Sequence, residues 1–193
     1  MATRTRPEEW LVPVLALALA LVLSAATPAG ADDAGFGPEE ILSKATGFFG
    51  DASEGLAKAV EKAFRDRGRP NAYIVGEEGS GAFMLGLRYG QGTLERKNGA
   101  RRSLYWTGPS LGWDVGGNAS KVFMLVYHLP SEDAIFQRFG GVEGSLYFVA
   151  GFGVNYVQAG PIVLAPIRTG AGLRAGVSAG YLRVTPRRSW IPF

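Results

Sequence analysis

The chain changes its hydrophobic rhythm twice, and each change marks a different structural regime. Trp10 to Leu23, WLVPVLALALALVL, is almost wholly apolar. From Pro38 to Arg67 apolar residues recur at Ile41, Ala45, Phe48, Ala52, Leu56, Ala59 and Ala63, in steps of three and four. That spacing keeps them on one face of a helix. Leu42, Phe49, Val60 and Phe64 widen the stripe. Pro38 suits a first turn, Glu39 and Glu40 complement the positive end of the helix dipole, and Gly68 with Pro70 stop the helix. Gly47 and Gly50 weaken the middle, and Asp51-Ala-Ser-Glu54 reads as a fresh capping box, so a break is expected there. The stripe predicts a helix packed on a sheet or plugging a barrel end. A membrane-surface helix would carry a more basic polar face than this mixture of lysines and acids.

From Asn71 onward short apolar and aromatic runs alternate with glycine-rich turns. Strands are expected at 72–75, 82–89, 92–97, 103–106, 110–115, 121–129, 145–149, 153–157, 162–166, 172–177 and 180–185. Asn98-Gly99 is a two-residue hairpin signal. Pro130 to Asp133 opens a short helix with Ser131 at its N-cap, Arg138 near its end and Gly140 closing it. Gly172, Gly176 and Gly180 favour sharply bent strands, as small closed barrels need. The expected fold is therefore all-β: a small soluble curved β-barrel of about ten short antiparallel strands, preceded by an amphipathic helix and interrupted by one short helix. The expected organisation is a signal peptide at 1–31, a helical segment at 32–70 and a barrel at 71–193.

Composition changes this picture in one respect, the address. Arg4 and Arg6 precede the first apolar run, and Ala29-Gly30-Ala31 meets the small-x-small rule before Asp32. Residues 1–31 thus read as a secretory signal cleaved after Ala31. The apolar run is shorter than the roughly 20 residues that span a bilayer. The 193 residues contain no cysteine, so an exported chain must rely on its core, which about 160 residues can supply. The net charge of +3 is too small to argue for nucleic acid. The sequon Asn118-Ala119-Ser120 is a chance-level triplet.

Candidate chemistry is sparse. Gly76-Glu-Glu-Gly79-Ser-Gly81 lacks the lysine of a phosphate loop, and its glutamates would repel phosphate, so it reads as a turn. His128, Ser131, Glu132 and Asp133 lie close in sequence, but no Gly-x-Ser-x-Gly elbow accompanies them, and no catalytic residue is assigned. One histidine and no Asp-x-Asp-x-Asp loop argue against a metal site, and no cofactor is expected. Trp106 and Trp113, with Tyr105, Arg101 and Arg102, form a candidate stacking surface, although strand aromatics also pack in cores. Asp114, between Trp113 and Val115, needs a partner if it points inward, and Arg138 is a candidate. The ending Trp190-Ile-Pro-Phe193 hints at an outer-membrane barrel, but the expected strands are shorter than the roughly 9–11 residues required.

The runs NAYIVGEEGSGAFMLGLRYGQGTL (71–94), WTGPSLGWDVGGNASKVFMLVYHLP (106–130) and AIFQRFGGVEGSLYFVAGFGV (134–154) resemble the envelope integrity protein EipA family. FFGDASEGLAKAVEKAFRDRGRP (48–70) and the closing GYLRVTPRRSWIPF fit it too. The resemblance implies a small periplasmic β-barrel of alphaproteobacteria that helps keep the cell envelope intact, without known catalytic residues. The implied architecture is also similar to the SYLF lipid-binding domain, though fold analogy names no ligand. Three functions remain open: a barrel binding an envelope lipid or glycan, a solid barrel acting through periplasmic protein contacts, and an envelope hydrolase. No nucleic-acid partner and no stable membrane insertion after signal cleavage are expected.

Overall fold

The computed structural model describes residues 35–50, 53–80, 87–109, 120–169 and 180–189. All of them belong to one unit, Asp32–Phe193. Two helices come first, α1 (Pro38–Phe49) and α2 (Glu54–Arg67). The break between them falls at the expected place. Gly50 closes α1 in the left-handed conformation, and the Ser53 hydroxyl accepts the Leu56 N–H to open α2.

Ten strands follow: β1 (Ala72–Ser80), β2 (Leu87–Arg96), β3 (Arg101–Pro109), β4 (Ser120–Tyr127), β5 (Arg138–Gly141), β6 (Tyr147–Val149), β7 (Phe152–Val154), β8 (Val157–Ala159), β9 (Ile162–Thr169) and β10 (Tyr181–Thr185). All pairings are antiparallel, in the order β4-β1-β2-β3-β10-β5-β8-β9, and β9 pairs back to β4. Eight strands therefore close a barrel. The remaining two, β7 and β6, extend from β9 on the same edge as β8.

Alternation divides the side chains between two cores. Inward residues such as Ile74, Leu94, Leu104, Trp106, Met124, Phe139, Leu164 and Leu182 fill the barrel. Outward residues of β1, β4 and β9, among them Tyr73, Phe123, Leu125, Tyr127, Ala165 and Ile167, pack under Ile41, Ala45, Leu56, Ala59 and Ala63 of the helices. The helical stripe is thus satisfied by the outside of the barrel, and Lys121 of β4 donates to the Phe48 carbonyl at the end of α1. β1, β2 and β3 reach 9, 10 and 9 residues, longer than the sequence suggested. Most of the interior is apolar, whereas the lumen of a membrane barrel is polar. Among the described residues no helix is long and apolar enough to cross a membrane.

Four local expectations need correction. The glycine-rich run after Val75 is not a turn: β1 continues through it to Ser80, in register with β2. The strands expected at 82–89 and 92–97 are represented by one strand, β2. The helix after Pro130 is a single 3-10 turn at Glu132–Ile135; Ser131 makes no side-chain cap there, and Arg138 starts strand β5. The β2–β3 hairpin uses Gly99 at φ 85° after Lys97 and Asn98, with Arg96 N–H bonded to the Ala100 carbonyl, so it is a bulged loop rather than a two-residue turn. The expected strands at 110–115 and 172–177 lie outside the described residues, as do Gly172 and Gly176 and the first 34 positions.

Candidate functional site

One end of the barrel interior is polar. Even-numbered residues of β1 face inward, so the series Ala72, Ile74, Gly76, Glu78 runs from the apolar core to a buried carboxylate. Glu78 is 8% exposed. Arg168 of β9 donates Nε to Glu78 Oε1 at 2.5 Å and Nη1 to Asn155 Oδ1 at 2.7 Å. The indole Nε1 of Trp106 donates to Glu78 Oε2 at 3.1 Å. Arg88 of β2 places Nη1 3.6 Å from Glu78 Oε1 and donates Nε to the Pro109 carbonyl. Two guanidinium groups thus face one carboxylate.

Burial opposes ionisation of Glu78. The charges of Arg168 and Arg88, with hydrogen bonds from Arg168 and Trp106, outweigh it and hold the carboxyl below its ordinary range. The group is therefore an ionised acceptor at neutral pH, too weak a base for proton abstraction there. A guanidinium is an equally poor acid. What this arrangement can do is lock four strands together through charge-assisted bonds.

The glycines beside it are a packing requirement. A Cβ on Gly90 would lie 2.0 Å from Trp106 Cε2, and one on Gly76 would lie 2.7 Å from Cη2 of the same ring. A Cβ on Gly92 would lie 3.1 Å from Cζ3. At Gly90 the indole occupies the space a side chain would take, whereas at Gly76 and Gly92 the nearest atoms are the backbone carbonyl oxygens of Gln91 at 2.3 Å and Val75 at 2.4 Å, with the indole just beyond.

The residues singled out from sequence are not brought together. Trp106 is 1% exposed, so its ring offers no face for ligand stacking. Arg138 is exposed on the outer wall, with its guanidinium 4.5 Å from the Tyr181 ring. Trp113 and Asp114 lie outside the described residues, as do Ala29 and Ala31. Arg101 pairs with Glu95, and Arg102 with Asp133. Glu132 pairs with Arg96. Both acids near His128 are thus engaged by arginines. The described residues contain no cluster of His, Asp or Glu able to hold a metal. Sequence reasoning missed Glu78, Arg88, Asn155 and Arg168. The available signal was the period-two series that ends at Glu78, hidden by treating its glycines as a turn.

The family model described as Envelope integrity protein A matches residues 34–193. The chain belongs to the EipA family. Its fold also matches the crystal structure of a β-barrel-like, uncharacterised protein from Brucella abortus. The two share 51% sequence identity at a TM-score of 0.77, covering 82% of this chain and 99% of the other. No curated protein matches. Membership in the EipA family agrees with the resemblance carried by the long motifs, and the barrel agrees with the fold read from strand spacing.

Proposed function

We propose that this chain is a non-enzymatic periplasmic β-barrel that supports cell-envelope integrity through contacts on its outer surface. The observation that carries this reading is the filled interior: Trp106 sits against Gly76, Gly90 and Gly92, above the apolar residues of the barrel core. Small barrels commonly have side-chain-filled interiors. An acyl chain would have to displace that core. Family membership supports the envelope role, and the hydrogen-bonded, ionised Glu78 cluster supports a structural rather than catalytic use of the buried charges. The secretory pattern ending at Ala31 supports export.

The test has two arms. Cells lacking the gene should take up a hydrophobic fluorescent dye faster than wild type. The full chain should restore the barrier, and a chain lacking residues 2–31 should not. Protein recovered from the periplasm should show only its polypeptide mass under non-denaturing conditions. Unchanged dye uptake in the deletion strain would overturn the envelope role. A tightly held lipid, lost on denaturation, would overturn the closed interior and favour internal ligand binding.

A further inference from the structure

The loop between β2 and β3 carries a reactive pair of residues. The chain holds asparagines at 71, 98, 118 and 155, and Asn98 is the one followed by glycine. Lys97, Asn98 and Gly99 form the exposed tip of this loop. Asn98 Oδ1 accepts the Ala100 N–H at 3.0 Å, so the side chain folds back over its own turn. Gly99 has φ 85°, and a Cβ built there would meet nothing within 4 Å. The Asn98 carboxamide and the Gly99 amide therefore share an uncrowded turn open to water.

We propose that Asn98 is a site of spontaneous modification: its side-chain amide is lost through a cyclic imide formed with Gly99, with water as the co-reactant. In the first step the Gly99 nitrogen bonds to Asn98 Cγ. The Cγ–Nδ2 bond breaks, and Nδ2 leaves as ammonia, taking the proton of the Gly99 N–H. In the second step water adds to one of the imide carbonyls and breaks its bond to nitrogen. Opening at Cγ gives aspartate. Opening at the main-chain carbonyl gives isoaspartate, with the chain running through the former side chain. Nothing is oxidised or reduced. The reaction depends on the loop alone and is independent of the envelope role.

The fold favours this position over the other described asparagines. The Ala100 N–H polarises the Asn98 carboxamide and meets its oxygen as charge develops there during attack. Glycine at 99 brings no Cβ against the incoming carbon. Asn71 precedes Ala72, and both ends of its carboxamide are held by Leu129: Nδ2 donates to the carbonyl at 2.9 Å, and Oδ1 accepts the N–H at 3.1 Å. Asn155 is buried, accepts from Arg168 and precedes the bulky Tyr156. One bond opposes reaction at Asn98: the Gly99 N–H donates to the Arg96 carbonyl at 3.0 Å. It must open before attack, and at an exposed tip water replaces it at small cost.

The product changes the loop in two ways. A carboxylate appears beside Lys97, which donates to Glu40 of α1 and so ties the loop to the helical layer. Isoaspartate also adds a carbon to the main chain between Arg96 and Ala100, whose N–H and carbonyl close the loop at 2.9 Å.

The experiment incubates folded protein, purified after expression of the full chain, for several weeks in heavy-oxygen water at mildly alkaline pH. Peptide mapping by mass spectrometry follows each asparagine. An isoaspartate-specific methyltransferase with a labelled methyl donor detects isoaspartate. The peptide containing Asn98 should lose its amide, take up heavy oxygen and accept the methyl label. Asn98 should convert at least about tenfold faster than Asn71 or Asn155, since each hydrogen bond that must first open is worth up to about that factor in rate. Conversion should quicken as pH rises, because the attacking amide must give up its proton. Asn98→Gln keeps an amide but needs a larger ring, and should yield no methyl label in that peptide. The converted protein, separated by ion exchange, should unfold at lower urea concentration than the unconverted form. Retention of the Asn98 amide over a period in which the urea-unfolded chain loses it would overturn the proposal, because the folded loop would then protect the pair. Equal conversion at Asn71 and Asn155 would overturn the selectivity assigned to the fold. Aspartate without isoaspartate would overturn the imide route, and equal unfolding of the two forms would overturn the effect on the loop.

Discussion

Trp106 fills the space that a side chain at residue 90 would need: a Cβ on Gly90 would lie 2.0 Å from Cε2 of the indole. The two residues are cross-strand partners in β2 and β3. Both face the barrel interior, where the largest fully buried side chain among the described residues is thus seated on the smallest residue. The same ring donates to Glu78. Position 90 therefore controls how deeply the indole enters and whether its N–H reaches the carboxylate.

Gly90→Ala should be strongly destabilising, by about 3 kcal/mol, because the added methyl group meets a packed ring. All three nearest atoms to that methyl group belong to Trp106. The cost should accordingly shrink in a Trp106→Leu background. Urea unfolding of the two single variants and the double variant gives the coupling directly. Equal cost of Gly90→Ala in both backgrounds would show that the backbone, not the ring, demands glycine.

The Glu78 carboxylate should matter more through its charge than through its shape. Glu78→Gln keeps an acceptor but leaves Arg168 and Arg88 without their anion, and a loss of about 3 kcal/mol is expected. Acid sensitivity follows from the same group. Its folded pKa is lowered from the usual 4.5 by the arginines, despite opposition from burial. Its contribution is therefore complete above the unfolded value and is lost as pH falls through the lower folded value. Wild type should lose stability on acidification below pH 4.5, and Glu78→Gln should lose less. Parallel stability–pH curves for the two proteins would assign the acid response to other carboxylates.

How far the sequence disclosed these features depended on the range of the interactions involved. The α1–α2 break was legible because its determinants, Gly50 and Ser53, act within a few residues. The barrel was legible from repeated short runs and from long family-like motifs. The Glu78 cluster was not, because its partners Trp106 and Arg168 are 28 and 90 positions away. The glycines at 76 and 79 carry a strong local turn signal. In the folded chain Gly76 instead gives room to the Gln91 carbonyl of the paired strand and to the Trp106 ring, a requirement set by tertiary packing. Arg138 shows the same limit: local capping pattern suggested a helix end, whereas pairing with β10 and β8 makes it the start of a strand.

The Ser53 cap offers a local test of the helical layer. Its hydroxyl accepts the Leu56 N–H at 3.2 Å at the start of α2. Ser53→Ala should cost about 1 kcal/mol. Ser43→Ala, at an exposed position within α1, should cost nothing or add slightly to stability, since alanine is the better helix former. Thermal unfolding of both variants separates the two effects. Matching melting temperatures would mean that α2 does not depend on this cap.

Alkaline pH should loosen the contact between α2 and the barrel. Tyr127 donates to the Ala63 carbonyl, Tyr147 to the Ala59 carbonyl, and Tyr156 to Asp66. Burial raises the pKa of all three phenols, and the Asp66 carboxylate adds to the effect at Tyr156. Tyr147 is pushed up to about 12. The unfolded chain ionises near 10.0, so the stabilisation is complete below that pH and declines as pH rises through the folded values. Melting temperature should therefore drop between pH 9 and about pH 11, a window set by the ordinary tyrosine value. The triple variant Tyr127→Phe/Tyr147→Phe/Tyr156→Phe should begin less stable, having lost three hydrogen bonds, but should show a much smaller drop over the same interval. A drop as large as that of wild type would place the alkaline sensitivity outside the helix–barrel contact, with Tyr73, also raised by burial and by Glu95, as the next residue to replace.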